Sequence, residues 1–213
     1  MSRSKVFFEP FVGEKYGKSS SIFDKKLMVV GASHYCEHSC VKCGEKWIDD
    51  TCRTFTSDCV REGYLEGAWD GGNWRKTYTT FINSFYGRAS SQRERELFFD
   101  SIVFYNFLQE REGVNPNDKH PELFNKQENV DAFCEIVKRY APDIVITWGN
   151  KPWEAIPYNL GDGDAKPIKK NPSFLKYTLA GKNFILFGAH HPCAGFDSAA
   201  HHAIFNELGL SCK

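Results

Sequence analysis

The sequence predicts an α/β protein, a three-layer αβα sandwich around a short, mainly parallel sheet. Three observations lead there. Residues 27–31, 102–107, 144–147 and 184–187 are runs that are apolar at nearly every position, as central parallel strands buried on both faces must be. Helical patterns, clearest over residues 129–140, alternate with these runs, the order that strand–helix–strand units impose. A chain of 213 residues with 41% hydrophobic and 25% charged content is long enough to bury one real core, so residues 1–213 are read as one domain.

Taken in order, residues 1–26 mix aromatics with Gly and Ser and read as an irregular arm packed on the domain. Residues 27–31 are the first strand, and residues 32–53 are polar, turn-rich and crowded with Cys and His. Residues 54–65 carry a helical pattern with Thr56 or Ser57 as caps, and Gly71-Gly72 breaks the chain before helices at 76–86 and 90–99. The second strand (102–107), the amphipathic helix 129–140 and the third strand (144–147) follow. Trp148-Gly149-Asn150 and Pro152 then introduce a short helix. Residues 166–172 read as a basic, proline-containing loop. Residues 177–179 and 184–187 flank Ala180-Gly181-Lys182-Asn183 as a hairpin, and a helix over 198–208 closes the chain.

Formal net charge is zero, so bulk charge does not advertise nucleic-acid binding, and any basic face must be local. Lys151, Lys166, Lys169 and Lys170 are the candidates for one, against the plainer reading of each as a scattered, solvated lysine. Aromatic content is 15%, with 18 Phe. Many of these rings must be core, and others are candidates for a base-stacking surface; composition alone does not separate the two. Met1-Ser2-Arg3-Ser4-Lys5 has no apolar run behind it of signal-peptide length, and no run is long enough to span a bilayer. The expectation is a cytoplasmic protein without a membrane partner.

Open α/β sheets place their sites beyond the carboxyl ends of the strands. Three polar segments occupy that position: Gly31-Ala32-Ser33-His34-Tyr35, Asn106, and His191-Pro192-Cys193. One amide both donates and accepts, so Asn106 suits reading an imide edge; alternatively it satisfies backbone at a strand end. His191 suits directing a ring N–H at a developing anion, with His190 beside it as the competing ring. His34 is a candidate base or metal ligand, or a buried structural ring.

A glycine turn ending in tyrosine, an asparagine on the next strand and a late His-Pro together resemble the uracil-DNA glycosylase superfamily, over most of the chain from about Leu27. Trp148-Gly149 is similar to the turn that closes the third strand there. The resemblance implies a DNA-repair hydrolase that excises uracil or a related damaged base, acting on DNA, with no redox cofactor. It implies a catalytic role for His191 and places Ser33 at the catalytic Asp position; His34, without an assigned family counterpart, is the candidate to replace the missing carboxylate as a base. It also implies substrate contacts for Asn106, Tyr35 (excluding a methyl at the base C5 edge), Ala32 and Phe196 (an apolar wedge in the duplex). The sequence departs from the family at one point. Ser33 stands where the best-known branch has Asp, His34 stands at its Pro position, and Ala32 stands where other branches carry Glu. A hydroxyl supplies neither a general base at neutral pH nor negative charge to a cationic sugar.

Five of eight cysteines lie between Cys36 and Cys59. Cys40-Val41-Lys42-Cys43 followed by Gly44 has the spacing of a zinc knuckle. Cys52 and Cys36 (or His38) complete four ligands for structural zinc. An iron–sulfur cluster and a set of reduced thiols are the alternatives. Two other functions fit the same motifs: a fold that binds a base or nucleotide without cutting, and a hydrolase of small nucleosides.

Overall fold

The computed structural model describes residues 4–35, 50–69, 72–113, 120–168 and 171–212. Nine strands are assigned among them: β1 (Phe11–Val12), β2 (Leu27–Gly31), β3 (His34–Tyr35), β4 (Ile102–Asn106), β5 (Arg111–Gly113), β6 (Ile144–Trp148), β7 (Lys166–Ile168), β8 (Asn171–Leu179) and β9 (Lys182–Ala189). Seven form a mixed sheet in the order β1-β4-β2-β6-β9-β8-β7, and β3 pairs with β5 in a small parallel sheet of its own. The four middle strands, β4-β2-β6-β9, are parallel to one another; β1, β8 and β7 are added antiparallel at the edges.

Helices flank this sheet. They are α1 (Phe55–Asp58), α2 (Trp74–Tyr86), α3 (Gln92–Asp100), α4 (Gln127–Tyr140), α5 (Asn150–Ala155) and α6 (Ser198–Glu207). Alternation along each strand feeds two cores. Leu27, Val29, Ile102, Phe104, Ile144, Ile146 and Phe187 pack with Phe81, Phe85, Phe98 and Phe205 of α2, α3 and α6. Met28, Val30, Val103, Tyr105, Val145 and Leu186 pack with Ala132, Phe133 and Ile136 of α4. Both faces of the parallel strands are therefore covered, which is why their sequences lack alternation. No helix among the described residues is long and apolar enough to cross a membrane.

The helix ends follow local chemistry. Ser91 and Glu94 form a reciprocal capping box at the start of α3, and Asp197 accepts from Ala199 and Ala200 at the start of α6. The β8–β9 turn is Ala180-Gly181, both with positive φ, a tight two-residue hairpin.

Four expectations need correction. Residues 54–65 are not one α-helix: α1 is a single turn running into a π-helix at Cys59–Leu65, with Thr54 preceding it. Thr56 and Ser57 lie within α1, whose N-cap is Thr54, so neither caps that helix. The expected loop at 166–172 contains β7 and the start of β8, paired antiparallel. The N-terminal arm is not wholly irregular, because Phe11–Val12 pairs with β4.

Ala141 closes α4 with φ 45, a left-handed position where a Cβ is strained. Ala141→Gly is expected to raise unfolding free energy by about 0.5–1 kcal/mol in urea titrations. Gly87→Ala, at the equivalent left-handed end of α2, should lower it, since the added Cβ would also sit 2.9 Å from His202 Nε2.

Candidate functional site

Strand register lines up the first part of the site. Gly31 pairs with Asn106, Val30 with Thr147, and Trp148 with Ala189. Asn106, Gly31, Trp148 and Ala189 thus stand in one row across the carboxyl ends of the parallel strands. By alternation all four face the α2/α6 side. A Cβ on Gly31 would collide with Asn106 Oδ1, so only glycine lets the amide lie over β2.

His191 reaches the same edge from beyond β9. Gly149, with φ +80, lies against it: a Cβ there would be 3.3 Å from His191 Cβ. His191 therefore sits over the end of β6, two strand spacings, or about 10 Å, from the strand that bears Asn106. Its ring meets Trp148 edge-on at 6.4 Å. Nδ1 accepts from the Cys193 backbone N–H (3.3 Å) and lies 2.9 Å from Cys193 Sγ, so the neutral ring carries its proton on Nε2. Burial pushes its pKa down, which keeps it neutral near pH 7. His190 is exposed and its Nδ1 faces the Gly195 carbonyl, so of the two adjacent rings His191 is the one turned inward.

The Ser33-His34-Tyr35 segment divides by period two. Ser33 and Tyr35 point together at a residue the sequence reading passed over, Glu112 on β5. Ser33 Oγ donates to Glu112 Oε2 at 2.5 Å and Tyr35 OH to the same oxygen at 2.8 Å; Lys151 Nζ reaches Oε1 at 3.1 Å. A register shift between His34 and Tyr35 in the β3–β5 pairing accompanies this convergence. Glu112 is only 3% exposed. Burial pushes its carboxyl up, but the hydrogen bonds from Ser33, Tyr35 and Lys151 outweigh that and hold it below the usual carboxylate range. It is a buried anion at neutral pH. Ser33 follows β2 and Lys151 follows β6, so the cluster lies where the strand order reverses, the usual crevice of an open α/β sheet.

His34 points the other way. Its ring is buried between Phe8 (4.4 Å) and Phe55 (5.1 Å), with Nε2 3.0 Å from Thr56 Oγ1 and the Asn106 Nδ2 3.1–3.2 Å from both ring nitrogens. Burial pushes its pKa down to about 3. This is a neutral ring that holds Asn106 in place; the expected role as a base in place of the missing carboxylate is not what its surroundings support. Ala32 is half-buried, and its carbonyl accepts from Leu108 N.

Phe196 stacks on His201 (3.9 Å, 17° between planes) and lies 6.3 Å from Phe81, so it is packed rather than projecting as a wedge. Of the metal candidates, Cys36, Cys40 and Cys43 lie outside the described residues, and Cys52 is half-buried in the 3-10 turn Asp50–Thr54. Among the described residues no cluster of His, Cys, Asp or Glu could hold a metal ion. Of the basic candidates, Lys151 pairs with Glu112, Lys166 is exposed on β7, and Lys169 and Lys170 lie outside the described residues.

Glu112 leaves one trace in the sequence. It lies in Glu110-Arg111-Glu112-Gly113, just past the strand that ends in Asn106, and an acidic residue there can fold back on the first loop. No protein-family model matches the chain, and no curated protein matches it either.

Two buried groups of the site, His34 and Glu112, contribute to the acid response with the same sign. His34, with a folded pKa below its unfolded one, contributes stability above about pH 6.5 that is lost as pH falls toward 3. Glu112, also depressed, contributes stability that is lost below about pH 4. Unfolding free energy should therefore fall with acid, by up to about 1.4 kcal/mol per pH unit for each proton taken up. In urea titrations over a pH series, His34→Gln should flatten the upper part of this fall and Glu112→Gln the lower part.

Proposed function

We propose that this protein is a base-excision hydrolase of the uracil-DNA glycosylase type, built as a three-layer αβα sandwich. It would cleave the N-glycosidic bond of uracil or a related damaged base in DNA. The observation that carries the reading is the Ser33–Glu112 hydrogen bond. It brings a buried carboxylate to the loop position where the sequence alone offers only a hydroxyl.

The geometry supports the following roles. His34 holds one side of the Asn106 amide, and Oδ1 is presented over Gly31 as an acceptor for an imide N–H. His191 offers its Nε2–H to the carbonyl of the departing base, whose ring takes the electron pair of the broken C–N bond. Glu112, through Ser33, orients a water and places negative charge near the sugar as positive charge grows there. The water oxygen bonds to the anomeric carbon, and one of its protons finally neutralises the base anion. Tyr35, tied to Glu112, stands beside the base.

The burial of Asn106 against His34 favours a second reading, in which the same fold binds a base or nucleotide without cutting it. Oligonucleotides bearing one uracil, single- and double-stranded, decide between the two. Alkali-labile scission is expected, absent in Asn106→Ala and slowed about 10²–10³-fold in Glu112→Gln. Binding without scission would establish the second reading. Scission of free nucleosides alone would move the activity to small substrates.

The proposal includes structural zinc on Cys36, Cys40, Cys43 and Cys52, supported by their spacing and thiolate chemistry. Metal analysis of the purified chain is expected to find zinc that is lost in Cys40→Ser; iron in its place would indicate a cluster.

A further inference from the structure

The two halves of the site are joined by a chain of aromatic rings that the proposed chemistry does not use. From His34 it runs to Phe55 (5.1 Å), Trp69 (5.8 Å), Trp74 (6.3 Å), Tyr78 (5.5 Å) and Trp148 (5.2 Å), and then to His191 (6.4 Å). Phe55, Trp69, Trp74 and Tyr78 are all only half-buried, although the sheet face beneath them is already filled by Phe104 at 1% exposure. Gly63 sets the seat of the two tryptophans: a Cβ there would lie 2.8 Å from Trp69 and 3.0 Å from Trp74.

Two further features point to a ligand on this arc. The Trp148 indole N–H, at its inner end, is buried and has no hydrogen-bond partner among the described residues, in a side chain only 5% exposed. Arg75 ties the tryptophans together: it donates to the Trp69 carbonyl, its guanidinium lies 5.7 Å over the Trp74 ring, and its Nε has no partner among the described residues. Lys76 beside it is exposed. The arc thus pairs flat ring faces with positive charge, the combination that unstacked nucleobases and their phosphates require. Paired bases in a duplex present no such free faces. Formal net charge is zero, so bulk charge supplies no general grip on the phosphates of a duplex.

We infer that the nucleic acid is single-stranded where it meets the protein, and that bases flanking the target stack on Trp69 and Trp74. The inference rests on the base-excision reading for the kind of ligand, but its test does not need excision. Fluorescence-anisotropy titration would use an oligothymidylate of about 15 nucleotides, which holds no uracil, against the same strand in a duplex. The single strand should bind at least about tenfold tighter, with a shallow salt dependence. Trp74→Ala and Trp69→Ala should each weaken that binding about tenfold, while Trp74→Phe, which keeps a stacking face and the fold, should restore most of it.

Equal or tighter binding of the duplex overturns the inference. So does single-strand affinity unchanged within about twofold in both alanine variants, or the absence of binding to either form. Failed excision with intact Trp-dependent binding would remove the hydrolase reading and leave the stacking surface standing. Excision that ignores both tryptophans would do the reverse.

Discussion

The close approach of Asn106 to Gly31 is the constraint from which the rest of this edge follows. Two parallel strands in register normally separate their side chains by a Cβ on each. Removing one at Gly31 lets the Asn106 amide lie flat over β2. An amide buried there must be satisfied, and His34 meets it from the opposite side while Thr56 meets His34. The ring's neutrality follows from its burial. Phe8 and Phe55 close over it, so one missing methyl group organises a polar chain of three residues, Asn106, His34 and Thr56, inside an aromatic shell. Gln109 extends the same logic outward. It accepts from Phe7 and Phe8 N–H groups and donates to Tyr105 OH and the Asn106 carbonyl, fixing the N-terminal arm to β4.

Glu112 is a different kind of commitment. Burying a carboxylate costs several kcal/mol even after relaxation, and one surface-style ion pair at about 0–1 kcal/mol cannot offset that. Lys151 is 40% exposed and 3.1 Å away, so its charge is partly screened. The hydroxyls of Ser33 and Tyr35 must supply much of the remainder, through hydrogen bonds to a charged acceptor worth about 1.5–3 kcal/mol each. Replacing the whole cluster by apolar residues of similar volume would leave the fold about as stable or more so, whereas removing Glu112 alone would strand Ser33, Tyr35 and Lys151. A cluster of this kind therefore makes most sense as a device for placing charge, at the one crevice where loops from β2 and β6 face each other.

The fold was legible because the parallel strands are so uniformly apolar. Residues 27–31, 102–106 and 144–148 have no other economical fate, and the helix at 127–140 announces itself by its stripe. What could not be read were the short edges. Phe11–Val12, His34–Tyr35, Arg111–Gly113 and Lys166–Ile168 are two or three residues long, too brief for any periodicity to register. The site was legible to the same degree. Asn106 and His191 lie on or just past long strands, and the alignment of those strands carries them to one edge. Glu112 and the orientation of His34 depend on β3 and β5, the elements with the weakest sequence signal.

Phe55 also explains why the arc and the polar chain belong together. Its ring touches His34 on one side and lies nearly parallel to Trp69 (28° between planes) on the other. A base stacked on Trp69, as inferred above, would sit one ring away from the histidine that sets the Asn106 amide. At the far end Tyr78 meets Trp148, and Trp148 meets His191. In dense interiors such contacts transmit displacement because rings cannot compress. On the proposed base-excision reading, stacking of flanking bases would thus bear on both Asn106 and His191 through the rings between them. A neutral protein needs such an arrangement more than a basic one does. If the base-excision reading holds, a chain of zero formal net charge would gain its affinity at short range rather than from long-range attraction to phosphates.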